Sequence, residues 1–359
     1  MSTGGRRAVA IGAGVAAGAV AAGAVGRSVL RRRHAHQLEE HLWDLPPDDV
    51  AAELGGISAF DGTILAVRAA GERDAPVLLF VHGFSLDMTV WHDQWVDLSE
   101  DHRCVLTDLR GHGASGKAAH GDLSLRSMGR DVATVLEAVT AERPAVVIGH
   151  SMGGMAAIAM AEQRPELFGT KVKGLVLIGS ASADLLRGAM GSVTELLRPR
   201  LGSLSAAARR VDRLRKAVLA SPGDLRGAAV RLTQFGPDAQ PHHVDHIVRL
   251  AERASSEVWT DGLSGLMEID LRHALPRVTV PALVVVGSHD RVTPPASAVE
   301  LAGELPDARL QVIDGAGHMP MLEQPVELDR MIRSFARTVL VEGNGRTTKA
   351  ATGGRRKRS

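Results

Sequence analysis

The chain has 359 residues, 45% hydrophobic and 23% charged, with one cysteine, 3% aromatics and no tyrosine. That length and composition suit a globular α/β core built mainly from Val, Leu, Ile and Ala. They exclude an internal disulfide, since Cys104 has no second cysteine to pair with, and any mechanism that needs a tyrosine hydroxyl. The net charge of +1 is unevenly spread. Residues 1–36 carry six arginines and no acid (+6), and residues 342–359 carry six basic residues against Glu342 (+5), which leaves −10 for the span between. Basic ends on an acidic globule suit an anionic partner, and a lipid surface is the natural candidate.

Residues 8–26, "AVAIGAGVAAGAVAAGAVG", hold no charged side chain. As a helix this run is about long enough for a hydrocarbon core of about 30 Å. Three readings of the leader, residues 1–36, compete. As a membrane anchor, it presents Gly14 and Gly18 as a small-xxx-small face. As a signal peptide, it has Arg6 and Arg7 as the basic n-region ahead of a long apolar run. As a dinucleotide turn, "GAGVAAG" has the glycine spacing but lacks a polar helix face and a following strand-borne acid. Arg27, Arg31, Arg32 and Arg33 outnumber Arg6 and Arg7, which favours the anchor and places the domain that follows in the cytoplasm. The expectation is membrane contact through residues 8–33, with export after signal cleavage and a plain cytoplasmic chain as the alternatives.

From about residue 57, within a first core segment spanning 37–180, apolar runs alternate with amphipathic ones. "ILAVRAA", "VLLFVHG", "RCVLTDL", "PAVVIGH" and "KVKGLVLIGS" read as strands. "LRSMGRDVATVLEAVTAE", with Met128, Val132, Val135, Leu136 and Val139 on one stripe, and "GGMAAIAMAEQRPELF" read as helices. Near-continuous β-branched strands between helices imply a parallel sheet covered on both faces, with ligands bound beyond the carboxyl ends of its strands. Residues 181–271 break the rhythm and read as a helical insertion over the sheet. The strand pattern resumes in 272–341 with "PALVVVGSHD" and "ARLQVIDGAGH", and "QPVELDRMIRSFARTVL" closes the fold as a helix. The polar, Gly-rich and basic tail 342–359 reads as disordered.

Chemistry concentrates where strands end. "VVIGHSMGG" places Ser151 between a strand and a helix, with Gly149 and Gly153 permitting a sharp turn. A serine hydroxyl needs a base, and the base needs a group to orient it. "VVVGSHDRVTPP" puts Asp290 just past one strand, and "QVIDGAGHMPMLEQP" puts His318 in a Gly-rich loop past the next. The backbone N–H groups of Phe84, in "FVHGF", and Met152 are candidate oxyanion donors.

These motifs, with "DLRGHGASG" at 108–116, resemble the α/β-hydrolase superfamily over about residues 57–340. The resemblance implies an eight-stranded, mostly parallel sheet with a helical cap after strand six. It maps the nucleophile to Ser151, the acid to Asp290, the base to His318 and the oxyanion donors to Phe84 and Met152. Relatives that open epoxides or remove halides carry aspartate at the elbow, so a serine there implies acyl transfer. The expected activity is hydrolysis of a carboxylic ester of a lipid-like or small apolar acyl substrate, with no cofactor, no metal and no specific nucleic-acid partner. C–C bond hydrolysis, amide hydrolysis and cofactor-free perhydrolysis use the same triad and stay open, as does a non-catalytic receptor on the same scaffold.

Other residues read as supports. His82, His112 and His150 belong to turn motifs, and Asp108 braces a loop, with a substitute acid as its alternative role. Trp91 and Trp95 read as core, with acyl-pocket lining as the alternative. In "PHHVDH", His242 and His246 share a helical spacing without a third metal ligand, and the segment reads as a solvated cap helix.

Overall fold

The computed structural model describes residues 43–141, 143–183, 209, 212–213, 215–217, 220, 223–267 and 269–342. The leader, the tail and much of the span 184–222 lie outside the described residues, and with them the anchor expectation for residues 8–26. Among the described residues no helix is long and apolar enough to cross a membrane.

The main sheet has eight strands: β1 (Asp48–Asp49), β2 (Val67–Ala70), β3 (Val77–Val81), β4 (Arg103–Thr107), β5 (Ala145–His150), β6 (Val172–Ile178), β7 (Ala282–Gly287) and β8 (Ala308–Ile313). Their spatial order is β1-β2-β4-β3-β5-β6-β7-β8. The pairs β1–β2 and β2–β4 are antiparallel, and every other pair is parallel. A separate two-stranded hairpin pairs Ile57–Ser58 with Ile64–Leu65. All residues of β3, β4, β5 and β7 are buried. This accounts for their apolar runs, because a central parallel strand meets packed helices on both faces.

Strand residues alternate between two cores. Leu79, Val81, Val105, Val147, Leu177 and Val284 join one cluster, and Leu78, Phe80, Leu106, Ile148, Val176 and Val285 join the other. The first core is covered by α2 (Leu125–Thr140), α3 (Met152–Gln163) and α6 (Pro295–Glu304), and the second by α1 (His92–Leu98) and α7 (Pro325–Arg337). Trp91 and Cys104 are buried in the second, Trp91 with its ring centroid 5.2 Å from that of Phe80. Helices α2 and α3 touch through Gly129, where a Cβ would stand 2.8 Å from the Met160 nitrogen.

Between β6 and β7 the described residues are mostly helical. They include α4 (Gly223–Gln234), α5 (Pro241–Arg253) and a short helix at Leu263–Met267. An antiparallel bridge between Ala183 and Asp270, with the Leu271 N–H donating to the Ser182 carbonyl at 2.7 Å, brings the departing and returning chain together. The insertion therefore leaves the strand order β6–β7 undisturbed.

Candidate active site

Ser151 follows β5 directly and precedes α3, with φ 50° and ψ −116°. Positive φ at a non-glycine residue costs about 1–3 kcal/mol and persists only where the surroundings enforce it. Here they do. A Cβ on Gly149 would lie 2.5 Å from Gly154 Cα, and one on Gly153 would lie 2.3 Å from the Val81 carbonyl oxygen. The Ser151 N–H donates to the Ile178 carbonyl at 2.8 Å, and Ser180 Oγ donates to the Ser151 carbonyl at 3.0 Å. Ser151 occupies the helix N-cap, where serine commonly caps, yet its hydroxyl makes no capping bond. That oxygen is left free at the positive end of the helix.

Asp290 and His318 meet from the loops after β7 and β8. His318 Nδ1 donates to Asp290 Oδ2 at 2.8 Å, and both side chains are buried. The carboxylate also accepts from the N–H groups of Val292 (2.8 Å) and Thr293 (2.9 Å) and from Thr293 Oγ1 (2.9 Å). Burial alone would raise this carboxyl, but the charge and hydrogen bond of His318, together with the Thr293 donors, outweigh it and hold Asp290 below the ordinary carboxylate range. With Nδ1 committed to Asp290, Nε2 is the imidazole nitrogen left for proton transfer. Gly179, at φ 52°, permits this contact, since a Cβ there would stand 3.1 Å from His318 Nδ1 and 3.3 Å from Asp290 Oδ2.

The histidine loop is tied to both the elbow and the insertion. His150 Nε2 donates to the His318 carbonyl at 2.9 Å, and the His318 N–H donates to the Gln234 carbonyl at 2.8 Å. Glu323 gathers the N–H groups of Gly317 (2.8 Å), Met319 (3.2 Å) and Gly236 (2.6 Å). Among the described residues no hydrogen bond joins Ser151 Oγ to His318.

The two expected oxyanion donors flank the serine. Gly83 approaches so closely that a Cβ there would stand 3.2 Å from Ser151 Cβ and 2.7 Å from His150 Nδ1, which brings the Phe84 backbone beside the elbow. Met152 opens α3, so its N–H is one of the first-turn donors a helix cannot use internally. Neither N–H is taken up by a hydrogen bond among the described residues.

The other histidines are structural. His82 Nε2 accepts from the Leu109 N–H at 3.0 Å, so Nδ1 carries the proton it donates to the Gly83 carbonyl at 2.8 Å. His112 likewise donates from Nδ1 to the Arg110 carbonyl (3.0 Å) and accepts from the Ser85 N–H (3.3 Å). Burial pushes His82 down to about 4 and His112 to about 3, and both stay neutral. Asp108 takes no part in the His318 contact. It accepts from the N–H groups of Met88 and Ala114, both at 2.7 Å, and burial pushes it up to about 7. Arg110, fully buried, forks onto Asp131 at 2.5 and 2.6 Å and reaches Asp61 at 2.9 Å, pinning the 108–116 loop to α2.

One expectation is overturned. "PHHVDH" is not a solvated helix face: His246 is 4% exposed and stacks on Trp43 with centroids 3.7 Å apart and planes at 3°. His246 Nε2 also meets Thr89 Oγ1 at 2.9 Å, so the cost of burying the imidazole is offset by a ring partner and a hydrogen bond. Among the described residues no group of three or more His, Cys, Asp or Glu side chains is arranged to hold a metal ion.

Several contributors escape sequence reasoning: Thr293, Ser180, Gly179, Glu323 and Arg110. Only Thr293 leaves a local signal, an Asp-x-x-Thr spacing that lets a carboxylate accept from the backbone and hydroxyl three residues on.

Residues 76–325 match the alpha/beta hydrolase fold family. The Magnesium-chelatase 30 kDa subunit of Rhodobacter capsulatus is 30% identical over 255 residues, 69% of this chain and 82% of that protein. A Pimeloyl-[acyl-carrier protein] methyl ester esterase of Yersinia pseudotuberculosis is 30% identical over 271 residues, 74% of this chain and 95% of that protein. Among solved structures, a thermophilic esterase from Thermogutta terrifontis superposes with a TM-score of 0.64 at 26% identity, covering 80% of this chain and 98% of that one. The chain belongs to the α/β-hydrolase family and is a hydrolase on that fold.

Proposed function

We propose that this hydrolase cleaves a carboxylic ester of a small apolar or lipid-like acyl group through an acyl-enzyme, with Ser151 as nucleophile, His318 as base and Asp290 as the group that orients it. The observation that carries the reading is the buried 2.8 Å hydrogen bond from His318 Nδ1 to a carboxylate held ionised by four donors, beside a serine in a strained, uncapped turn. The esterases among its relatives support the choice of bond.

In this mechanism Ser151 Oγ attacks the ester carbonyl carbon while its proton passes to His318 Nε2. The oxyanion accepts from the Phe84 and Met152 N–H groups, fixed donors that need no reorganisation as charge develops. Collapse breaks the bond to the leaving oxygen, which takes the proton from His318 and departs as an alcohol. Water then attacks the acyl-serine, again giving its proton to His318. The second tetrahedral intermediate releases the carboxylic acid and returns the proton to Ser151.

Residues 181–271 act as the cap in this reading. Their support is the His318 N–H donated to Gln234 and the ring contact between Trp259 and Phe84. Residues 8–33 carry the membrane contact, supported by the uncharged run and its flanking arginines. Fractionation of the full chain, with and without high salt and detergent, tests that part. For the chemistry, the test is steady-state hydrolysis of 4-nitrophenyl esters graded from acetyl to palmitoyl by the native chain and Ser151→Ala. The native chain should turn over esters with a defined acyl-length optimum, and Ser151→Ala should fall by about 10⁴-fold or more. A Ser151→Ala protein as active as the native one would refute the assignment.

A further inference from the structure

The elbow and the acid–base pair are held by backbone contacts, whereas the backbone around the proposed oxyanion donor Phe84 is held mainly by side chains: His82 Nδ1 donates to the Gly83 carbonyl at 2.8 Å, and the Ser85 N–H donates to His112 Nε2 at 3.3 Å. The neighbours of Phe84 are Gly83 and Ser85, the latter at φ 56°, and among the described residues the only backbone-to-backbone bond across the turn is Leu86 N–H to the Gly83 carbonyl at 3.3 Å. The Phe84 N–H itself makes no hydrogen bond among the described residues, so its aim depends also on what grips the half-buried ring. One grip is His112, edge-on at 6.4 Å. The closer one comes from the insertion: Trp259 meets the Phe84 ring at 4.9 Å and 81°, an edge-to-face geometry. Gly262 stands close enough that an added Cβ would lie 3.4 Å from Phe84 Cε2.

Trp259 is itself held with unusual care. It lies in a π-helical turn, Val258–Gly262, in which the Leu263 N–H reaches back five residues to the Val258 carbonyl. Such turns carry an extra residue per turn and cluster at functional sites. The Arg215 guanidinium covers its ring at 5.1 Å. Arg215 is fixed in turn by the buried Asp212 (2.8 Å) and the Ala251 carbonyl (2.9 Å). The indole Nε1 is buried without a hydrogen-bond acceptor among the described residues. Leaving such a donor unpaired costs about 1–3 kcal/mol, so something other than hydrogen bonding sets the ring's place.

Resting on the serine-esterase reading, we infer that Trp259 is a positioning residue. Its edge-to-face contact fixes the Phe84 ring and so aims the Phe84 N–H at the oxyanion, coupling the seating of the insertion to assembly of the oxyanion hole. The residue acts through Phe84 and touches no reacting atom. Its loss must therefore appear in transition-state stabilisation, not in ground-state binding.

The test uses the full chain and 4-nitrophenyl butyrate, with kcat and KM measured separately for Trp259→Phe, Trp259→Leu and Ser151→Ala, and melting curves for each. Phenylalanine keeps an aromatic edge for Phe84, whereas leucine keeps apolar bulk without one. Trp259→Leu should lose roughly 10- to 100-fold in kcat with KM within about twofold, as a displaced transition-state donor demands. Trp259→Phe should recover most of that loss, and the acyl-length optimum should be unchanged in both. In a cycle with Phe84→Leu the kcat losses should not add. Equal kcat for Trp259→Phe and Trp259→Leu overturns the inference alone, as does an effect confined to KM and chain-length preference, which means a lining role. Unaltered turnover in Ser151→Ala overturns the esterase reading and this inference with it.

Discussion

The elbow around Ser151 and the turn around Trp259 both border the candidate oxyanion hole, yet they are held in place by different means. At the elbow, backbone meets backbone: Gly149 against Gly154, Gly153 against Val81, and the Ser151 N–H on Ile178. At the insertion, side chain meets side chain, through Phe84, Trp259 and Arg215. A backbone contact has no rotamer to yield, so a single added carbon must displace a strand or a helix. A ring contact can be trimmed or retuned while the sheet stays intact. On the proposed reading, the geometry of the nucleophile is rigid by construction, and that of the site accepting the oxyanion is adjustable from outside the core.

The comparison can be broken most severely at the proposed catalytic pair. His318→Ala and Asp290→Asn should each lower kcat by about 10⁴-fold while the melting temperature stays close to native, as followed by ester hydrolysis and circular dichroism. Asn cannot keep His318 in the tautomer that leaves Nε2 free as a base.

The contrast between the two regions is sharpened by a matched pair of glycine substitutions. Gly153→Ala places a Cβ 2.3 Å from the Val81 carbonyl oxygen and should cost about 3 kcal/mol or leave the chain unfolded. Gly262→Ala meets only side-chain ends, Phe84 Cε2 at 3.4 Å and Leu123 Cδ1 at 3.9 Å, and should stay within about 1 kcal/mol of native stability. Urea unfolding midpoints of the two variants, read side by side, decide it. Similar losses would contradict the distinction between a rigid elbow and a yielding insertion.

A smaller effect is expected for Thr293→Val, which removes the hydroxyl donor from Asp290 Oδ2. With one donor fewer, the carboxylate holds the His318 ring less rigidly, so kcat should fall by about 2- to 10-fold with KM little changed, read by 4-nitrophenyl ester hydrolysis. An unaltered kcat contradicts this.

The smallest effect is on stability. Five histidines, four buried and His243 partly so, are held neutral: His82 and His243 near 4, His112 and His246 near 3, and His150 well below its ordinary value, each chiefly by desolvation. Unfolded, they take up protons near 6.5, so the unfolded state binds more protons below that pH and stability falls on acidification. Asp108 and Asp329, pushed up to about 7 mainly by burial, act in the opposite sense above 3.8, as do Asp131 and Glu323. The histidines outnumber them, and the melting temperature should drop by a few degrees between pH 6.5 and 4.5.

The parts of this arrangement that are legible in the sequence are those encoded over a few consecutive residues. Ser151 and Asp290 each come after an apolar run that forms a buried strand, and His318 comes after the mostly exposed edge strand β8; each sits among glycines or prolines that end its strand, so strand order places all three at the carboxyl ends of the sheet. The parts that are not legible depend on residues distant in sequence. His246 reads as solvated because its covering groups, Trp43 and Thr89, lie far away along the chain, with Thr89 157 residues distant. The grip of Trp259 on Phe84 joins two loops that no short motif connects. Arg110 lies inside the 108–116 motif, yet its partners Asp61 and Asp131 come from the hairpin loop and from α2, and its charge alone points to neither.

The most direct test of the central claim is to treat the full chain with a fluorophosphonate probe and map the adduct by peptide mass spectrometry. The expected result is one phosphonyl group on Ser151, absent from Ser151→Ala and formed far more slowly in His318→Ala. A folded native chain that stays unlabelled, or that is labelled at another residue, would contradict the claim.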